Sequence, residues 1–379
     1  MLSFIKTPYL QWPTQDTVTI MWETSSEAKG QVTVHETERI HATGTGRFQK
    51  IDSSHRVAVE AGAPCCRHRI TLDGLQPETS YLYQVRSEDS TGLVCESEAQ
   101  LLKTAVAEDT PFSFAVTSET GGTCKDDYNR EIFDQIRLHR PDFLMVVGDS
   151  VCHGKRYDDW NRFFFHPAKD VLATTPFFLV PGNHEEDSEW FYEFVGYPEP
   201  KNYHAFRYGN THFIGLDSTA VVEYVEGGPR LIEGAFEPGA PQYDFLTREL
   251  QGSEAVWKIV YFHYPPFVSA DYQVEDMRIL CPVLEEYGVH VVFNSHTIVY
   301  ERSHPIRNDR LDLENGITYV VAGGAGAMQQ WFHHTRAWHT AHAIGRPHFV
   351  QVSIAGTRLE LKAIDNKGNL FDMAVIEQG

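Results

Sequence analysis

Five apolar runs in this chain each stop at a polar residue able to hold a metal ion, and that coincidence limits its fold more than anything else in it. The runs cover 112–116, 143–147, 177–180, 259–262 and 289–293. Just beyond them stand Glu119 in Ser118-Glu119-Thr120-Gly121, Asp149 in Gly148-Asp149-Ser150-Val151, Asn183 and His184 in Gly182-Asn183-His184-Glu185, His263, and His296. Short apolar runs of this kind read as buried strands of a parallel or mixed sheet, and such sheets place their ligands beyond the carboxyl ends of the strands. Asp, Asn and His gathered there form a shell suited to a divalent or trivalent ion.

The rest of the chain narrows the partners. Its 379 residues suggest two domains with room for a sizeable core. A net charge of −20 argues against binding to nucleic acid or to an anionic membrane surface. An anionic substrate stays compatible with a site made locally positive by metal and imidazole; nineteen histidines supply candidates. The six cysteines show no Cys-x-x-Cys spacing, and Cys65 adjoins Cys66, so neither a zinc ribbon nor a dense disulfide framework is expected. Cysteine usage fits a reducing compartment slightly better, with one bridge left open, and Cys124 reads as a free buried thiol. The opening residues do not read as a signal peptide, and no apolar stretch of about 18 residues reads as a membrane span. The expected location is therefore cytoplasmic, or secreted or periplasmic if a signal peptide was removed.

Residues 1–105 read as all-β. Strand-period alternation marks 18–22, 31–34, 68–72 and 81–85. The turn 73–81, with Pro77 ahead of Tyr81, resembles the tyrosine corner of immunoglobulin-like and fibronectin-like sandwiches. A segment without periodicity, 104–111, reads as a linker. From Phe112 strands alternate with helices. Helical spacing covers 126–139, capped by Asp126 or Asp127 and ended by Pro141; further helices fall near 242–250 and 276–287, the latter starting or kinking at Pro282. Strands follow at 213–216, 319–322, 349–352 and 359–363, the last two forming a hairpin across Gly356-Thr357. The chain is thus an α/β protein in two parts: a sandwich over 1–105, then, over 112–379, two mixed sheets face to face with helices outside.

Together these segments resemble the calcineurin-like metallophosphoesterases, and more narrowly the purple acid phosphatases with an N-terminal fibronectin-like domain. The likeness rests on Gly182-Asn183-His184-Glu185, on Val299-Tyr300-Glu301-Arg302, on Thr7-Pro-Tyr-Leu-Gln11 with Met21-Trp-Glu23, and on the closing 348–352 strand. It implies a four-layer α/β/β/α metallophosphoesterase domain. It also implies a site of one or two ions (Fe, Zn or Mn) acting on a small phosphorylated substrate, with oligomeric state left open. Asp149 matches the bridging carboxylate; Asn183, His263 and His296 match the remaining ligands of the second metal. His184 matches the histidine that orients phosphate and assists the leaving group. Two ions roughly 3.5–4 Å apart would polarise the phosphoryl oxygens and generate a hydroxide nucleophile.

The first metal's half departs from that pattern. Glu119 stands where the family has Asp, Cys152 where purple acid phosphatases have Tyr, and Ile298 where the last motif has its second His. Three states are open. Glu119 and Cys152 both ligate, with His153 or a histidine of 331–335 or 338–342 supplying the missing imidazole; the first site is empty and one ion does the chemistry; or catalysis is lost and the scaffold only binds metal or phosphate. Among the other polar residues, Arg302 reads as a structural ion pair and Asp217 as either a supporting or a turn residue. The Gly323-Gly324-Ala325-Gly326 loop reads as one that lies close to the site. The absence of Gly-x-Ser-x-Gly disfavours a serine hydrolase. The pocket loops are expected at 150–170, 185–205, 220–240 and 325–346.

Overall fold

A computed structural model describes residues 1–36, 56–60, 62–126, 128–226, 228–326, 332 and 336–378. The chain divides into two compact units, 1–107 together with 169–177, and 108–168 together with 178–379.

The first unit is a β-sandwich built around one long strand. The runs at 18–22 and 31–34 belong to a single strand, Val18–Glu36, which shifts register between Glu23 and Ala28. Its first half pairs with Phe4–Gln11 and Cys65–Leu72, its second half with Arg56–Glu60 and Ser80–Asp89. A shift of this kind bends a strand, so one strand serves both layers. Between the layers lie Leu10, Ile20, Trp22, Val32, Ile70, Tyr83 and Val85. Trp22 stacks on His68 and donates to Ser87 Oγ at 2.9 Å. The Tyr81 hydroxyl accepts the Gln76 N–H at 2.8 Å, the bond that makes a tyrosine corner.

In the second unit two sheets face each other. One has the order 177–180, 143–147, 112–117, 348–355, 358–365, 370–377; the other 204–208, 211–215, 257–261, 291–294, 318–322, 300–303, 340–344. The five strands that precede the candidate ligands are β1 (Phe112–Thr117), β2 (Phe143–Val147), β3 (Phe177–Val180), β4 (Trp257–Tyr261) and β5 (Val291–Asn294). β1–β2 and β4–β5 are parallel pairs. The sheets meet through aromatic side chains: Phe114 and Phe143 of one lie edge-on to Phe213 of the other at 5.2 Å. All three are fully buried, each contributing about 2–3 kcal/mol by burial alone. Residues 348–355 and 358–365 form the expected antiparallel hairpin.

Helices cover the outer faces. Asn129–His139 buries Ile132, Phe133 and Ile136, and His139 meets Phe349 of the first sheet edge-on. Leu246 and Leu250 of the helix Pro241–Gln251 share a cluster with Val260 and Val292 of the second sheet. Three details differ from the sequence reading. The first helix starts at Asn129 without a side-chain cap, because Asp126 pairs instead with Arg162 at 3.0 Å; Asp127 lies outside the described residues. The third is split: a 3-10 turn, Glu275–Leu280, runs into a short α-helix, Cys281–Glu286, whose first turn holds Pro282, the expected start or kink. The expected loop 150–170 is largely helical: Tyr157–Asp159, a π-helical stretch Trp160–Phe165, then His166–Leu172. Its aromatic residues obscure any regular period, since the π stretch rotates the buried face.

Candidate metal centre

The parallel strands deliver their following residues to one edge of the paired sheets, and the backbone there is bent out of ordinary shape. Glu119, Asp149 and His296 have φ values of 61°, 52° and 66°. Left-handed backbone at a non-glycine residue costs on the order of 1–3 kcal/mol and concentrates where geometry serves a site. Two glycines make the close approach possible. A Cβ on Gly182 would lie 2.3 Å from Asp149 Oδ1, and one on Gly148, itself at φ 83°, would lie 2.5 Å from His263 Nδ1.

Asp149, Asn183, His263 and His296 come together. Asp149 Oδ2 lies 3.2 Å from His263 Nε2, and Asn183 Oδ1 the same distance from that nitrogen. His263 Nδ1 donates to the Val147 carbonyl at 2.8 Å, which fixes the ring and turns Nε2 toward the carboxylate. His296 Nε2 bonds the Tyr224 hydroxyl at 2.5 Å, while its buried Nδ1 has no hydrogen-bond partner among the described residues. Rings of Tyr224, Tyr264 and Tyr272 surround that imidazole. Asp149, His263 and His296 each present a ligand atom within 4.8 Å of the others. A carboxylate, an amide oxygen and two imidazoles, one with an unpartnered buried nitrogen, fit a Zn, Fe or Mn ion.

His184 borders this set. Its N–H donates to Asp149 Oδ1 at 2.9 Å, and its ring Nδ1 donates to the Cys152 carbonyl at 2.7 Å. The other ring nitrogen, Nε2, faces Asp149 Oδ2 at 4.0 Å. The ring is partly open to solvent, as a group that meets a substrate must be. Glu185, quoted in the motif but given no role from sequence, clamps the loops. Its Oε2 accepts from Asp149 N at 2.8 Å and Gly182 N at 2.7 Å; its Oε1 accepts from Ser150 N at 2.7 Å.

The charges are coupled. Burial works to raise Asp149, but the His263 imidazole overrides it and holds the carboxyl far below its ordinary range. Burial works to lower His263, and Asp149 reverses that, raising it to about 9. His296, buried and beside His263, is pushed down to about 3 and keeps a neutral ring. Burial, then Asp149, pushes the Glu119 carboxyl up to about 8. Burial dominates the His296 and Glu119 shifts, whereas the attraction between Asp149 and His263 sets the direction of the other two.

The other half of the site is built differently. Glu119 Oε1 accepts from Ser295 Oγ at 2.6 Å and His296 N at 2.8 Å, so its carboxylate holds the loop that carries His296. Cys152 cannot offer a thiolate, because it is disulfide-bonded to Cys124. This corrects two readings: Cys152 as a ligand and Cys124 as a free thiol. Their spacing of 28 residues gave no hint of the pairing; it follows from Gly121 N donating to Asp149 O at 3.0 Å, which brings the two loops side by side. Ile298 is buried. His153 pairs with Glu186 at 3.2 Å, His339 lies near Glu301 and His342 near Asp372. His333 and His334 lie outside the described residues.

Residues 112–300 match the calcineurin-like phosphoesterase family, and residues 5–104 match the purple acid phosphatase N-terminal domain. The chain belongs to the calcineurin-like phosphoesterases of purple acid phosphatase type. It is 26% identical over 322 residues to purple acid phosphatase 13 of Arabidopsis thaliana, covering 69% of this chain and 55% of that protein. It is 25% identical over 296 residues to a purple acid phosphatase of Glycine max, covering 69% and 60%. The chain therefore spans a little over half the length of these curated relatives. In fold it is similar to a purple acid phosphatase from yellow lupin (Lupinus luteus) seeds, with a TM-score of 0.81 at 18% identity over 98% of this chain and 74% of that one. It is similar also to PhoD, with a TM-score of 0.66 at 12% identity over 100% and 94%.

The remaining candidates make contacts within the fold. Arg302 forms a two-pronged ion pair with Asp372 at 2.7 and 3.1 Å. Asp217 caps the turn Ser218–Ala220 by accepting from Thr219 N at 3.0 Å. Gly323 packs against the Thr297 carbonyl, next to His296, where a Cβ would come within 2.1 Å. Tyr224 was missed because it sits on the hairpin Val222–Val225 with Gly228–Leu231, inside a stretch read as loop; nothing in its local sequence points at His296. Asn129 was missed as well: it donates to the carbonyls of Thr120 and Phe163, tying the Glu119 loop to the π-helical stretch.

Proposed function

We propose that this chain hydrolyses phosphate esters with a single ion held by Asp149, Asn183, His263 and His296, the domain 112–379 carrying the chemistry and 1–105 serving as scaffold. Three observations carry the reading: ligand atoms of Asp149, His263 and His296 within 4.8 Å of one another, Asn183 Oδ1 at 3.2 Å from His263 Nε2, and a buried His296 Nδ1 with no hydrogen-bond partner among the described residues. A bound divalent or trivalent ion would supply Lewis acidity at a phosphoryl oxygen and lower the pKa of water. The protein does the rest. Glu185 fixes the Asp149 and Asn183 loops against each other, and the Val147 carbonyl fixes the His263 ring. His184 presents Nε2 next to Asp149, while its other nitrogen is spent on the Cys152 carbonyl. That leaves Nε2, which carries a proton in the imidazolium form that burial opposes and Asp149 favours, to orient the phosphoryl group and to hand that proton to the departing alkoxide. The single-ion reading follows from the other half: Glu119 is engaged by the His296 loop, the Cys152 sulfur is in a bridge, and Ile298 offers no donor.

The test combines elemental analysis with turnover after the chain is supplied with Fe, Mn and Zn. The expected result is about one ion per chain and chelator-sensitive hydrolysis, with Asp149→Asn and His184→Ala both strongly impaired. Unchanged hydrolysis in both variants would end the mechanism. Two ions per chain would end the single-ion reading alone. The loss of two donor positions also supports a second reading, a non-catalytic metal- or phosphate-binding protein on this scaffold; turnover well above background and abolished by chelation rules it out.

A further inference from the structure

The Cys124–Cys152 bridge has no part in the proposed hydrolysis, yet it lies one hydrogen bond from the residue that would protonate the leaving group. Cys124 is exposed and Cys152 buried. The Cys152 carbonyl accepts from His184 Nδ1 at 2.7 Å, and two residues on, Gly154 N donates to the His184 carbonyl, also at 2.7 Å. The segment leaving the bridge therefore holds His184 by ring and by backbone. On the other side, Cys124 N donates to Gly121 O at 2.8 Å, and Gly121 N donates to Asp149 O at 3.0 Å. Bridge and hydrogen bonds close a ring around the stretch from Asp149 to Cys152.

The geometry points to this disulfide as a positioning element for His184, sensitive to reduction because its outer sulfur belongs to an exposed residue. The inference rests on the hydrolysis reading above. When the bridge is intact, the Cys152 carbonyl is fixed and His184 Nε2 is aimed. When it is cut, the carbonyl stays in the chain but is held only by neighbouring hydrogen bonds, and the ring it orients drifts with it. Reduction by a trialkylphosphine is balanced: the S–S bond breaks, water gives its oxygen to phosphorus and its two protons to the sulfurs, and phosphine oxide leaves. A mild oxidant reverses the change by taking two electrons and two protons.

A misaimed His184 harms most the reactions that need its proton, while any loss of phosphate orientation falls on both kinds of ester alike. An alkyl phosphate leaves as a strongly basic alkoxide and needs it; a p-nitrophenyl phosphate leaves as a stable anion and does not. The experiment compares kcat, KM and metal content on both esters for the metal-loaded chain, oxidised, phosphine-reduced, and as Cys124→Ser. Proton transfer in full is worth about 10²–10⁴-fold. The expected loss in kcat on the alkyl ester is about 10-fold, against under about 2-fold on the p-nitrophenyl ester, with KM and metal unchanged and reoxidation restoring the unmodified chain. Cys152→Ser should show the same split, and Cys124→Ser should add nothing to His184→Ala. Equal loss on both esters, or none, would overturn the role of the bridge. No turnover by the oxidised, metal-loaded chain would instead overturn the hydrolysis reading on which it rests.

Discussion

The two halves of the site lie beyond strand ends of the same pair of sheets and differ in what their side chains bond to. Around His263 and His296 the donors are held by partners that leave ligand atoms facing one another: Val147 O takes His263 Nδ1, and Tyr224 takes His296 Nε2. Around Glu119 and Cys152 the equivalent positions are tied elsewhere, Glu119 through its Oε1, which accepts from Ser295 and His296, and Cys152 through a covalent bond to Cys124. On the single-ion reading proposed above, the contrast teaches that strand-end geometry alone does not make a metal site. What decides it is whether the outer partners leave an unshared lone pair pointing inward.

The largest way to break the comparison is His296→Ala. If the half with His296 holds the ion, metal content should fall from about one per chain to near zero. Hydrolysis should drop by about 10³-fold, the several kcal/mol an ion contributes to the transition state. Glu119→Gln should change metal content little, because its carboxylate is a loop fastener. Retained metal in the first variant together with lost metal in the second would invert the assignment of the halves.

Acid should unfold the chain before it tests the site. His204, fully buried and bonded to the Tyr261 hydroxyl at 2.6 Å, is pushed down to about 3 by burial, and His68 and His212 to about 4. A neutral imidazole with a depressed folded pKa leaves the unfolded chain the greater proton binder between the two values. Stability is then fully present above pH 6.5 and is lost as pH falls. His204 alone contributes about 3 kcal/mol of loss by pH 4. The Tm should fall steadily from pH 6.5 to 4; a flat profile over that range would remove these histidines from the account.

Much of this was legible in the sequence, for a physical reason: strands buried on both faces leave unbroken apolar runs, and a run that ends abruptly in Asp, Asn or His advertises its end. Asp149, Asn183, His184, His263 and His296 were visible in that way. The Cys124–Cys152 bridge and Tyr224 were not, since each depends on a contact between distant loops with no local period. Glu119 was legible as an anomaly but not in its role, because a buried Glu reads alike whether it holds a metal or a backbone N–H. The π-helical stretch Trp160–Phe165 escaped because its turn differs from the period by which helices are recognised.

Tyr224→Phe sharpens the comparison from the intact side. It removes the hydroxyl that fixes His296 while keeping the ring that packs on it. Apparent metal affinity should weaken about 10–100-fold, the usual cost of losing an outer partner, with turnover at saturating metal nearly kept. Unchanged affinity would mean that the three tyrosine rings alone hold the imidazole.

The smallest expected effect belongs to Ile298→His, which restores the donor the family's last motif carries. Metal should remain about one per chain and turnover should change by under about 2-fold, because a single added imidazole meets only Asp149. Even an open catalytic site uses about three protein donors, more than Asp149 and the added imidazole provide. Glu119 stays fastened to the His296 loop, and the Cys152 sulfur stays in its bridge. The buried position adds a cost: Ile298 is 2% exposed, and an imidazole there without a partner should lower stability by about 1–3 kcal/mol, visible as a lower Tm. A second ion in this one variant, with raised turnover, would show that Glu119 gives up its hydrogen bonds when a partner ligand appears. The altered half would then be a metal site lacking one donor rather than a region rebuilt to brace its neighbour.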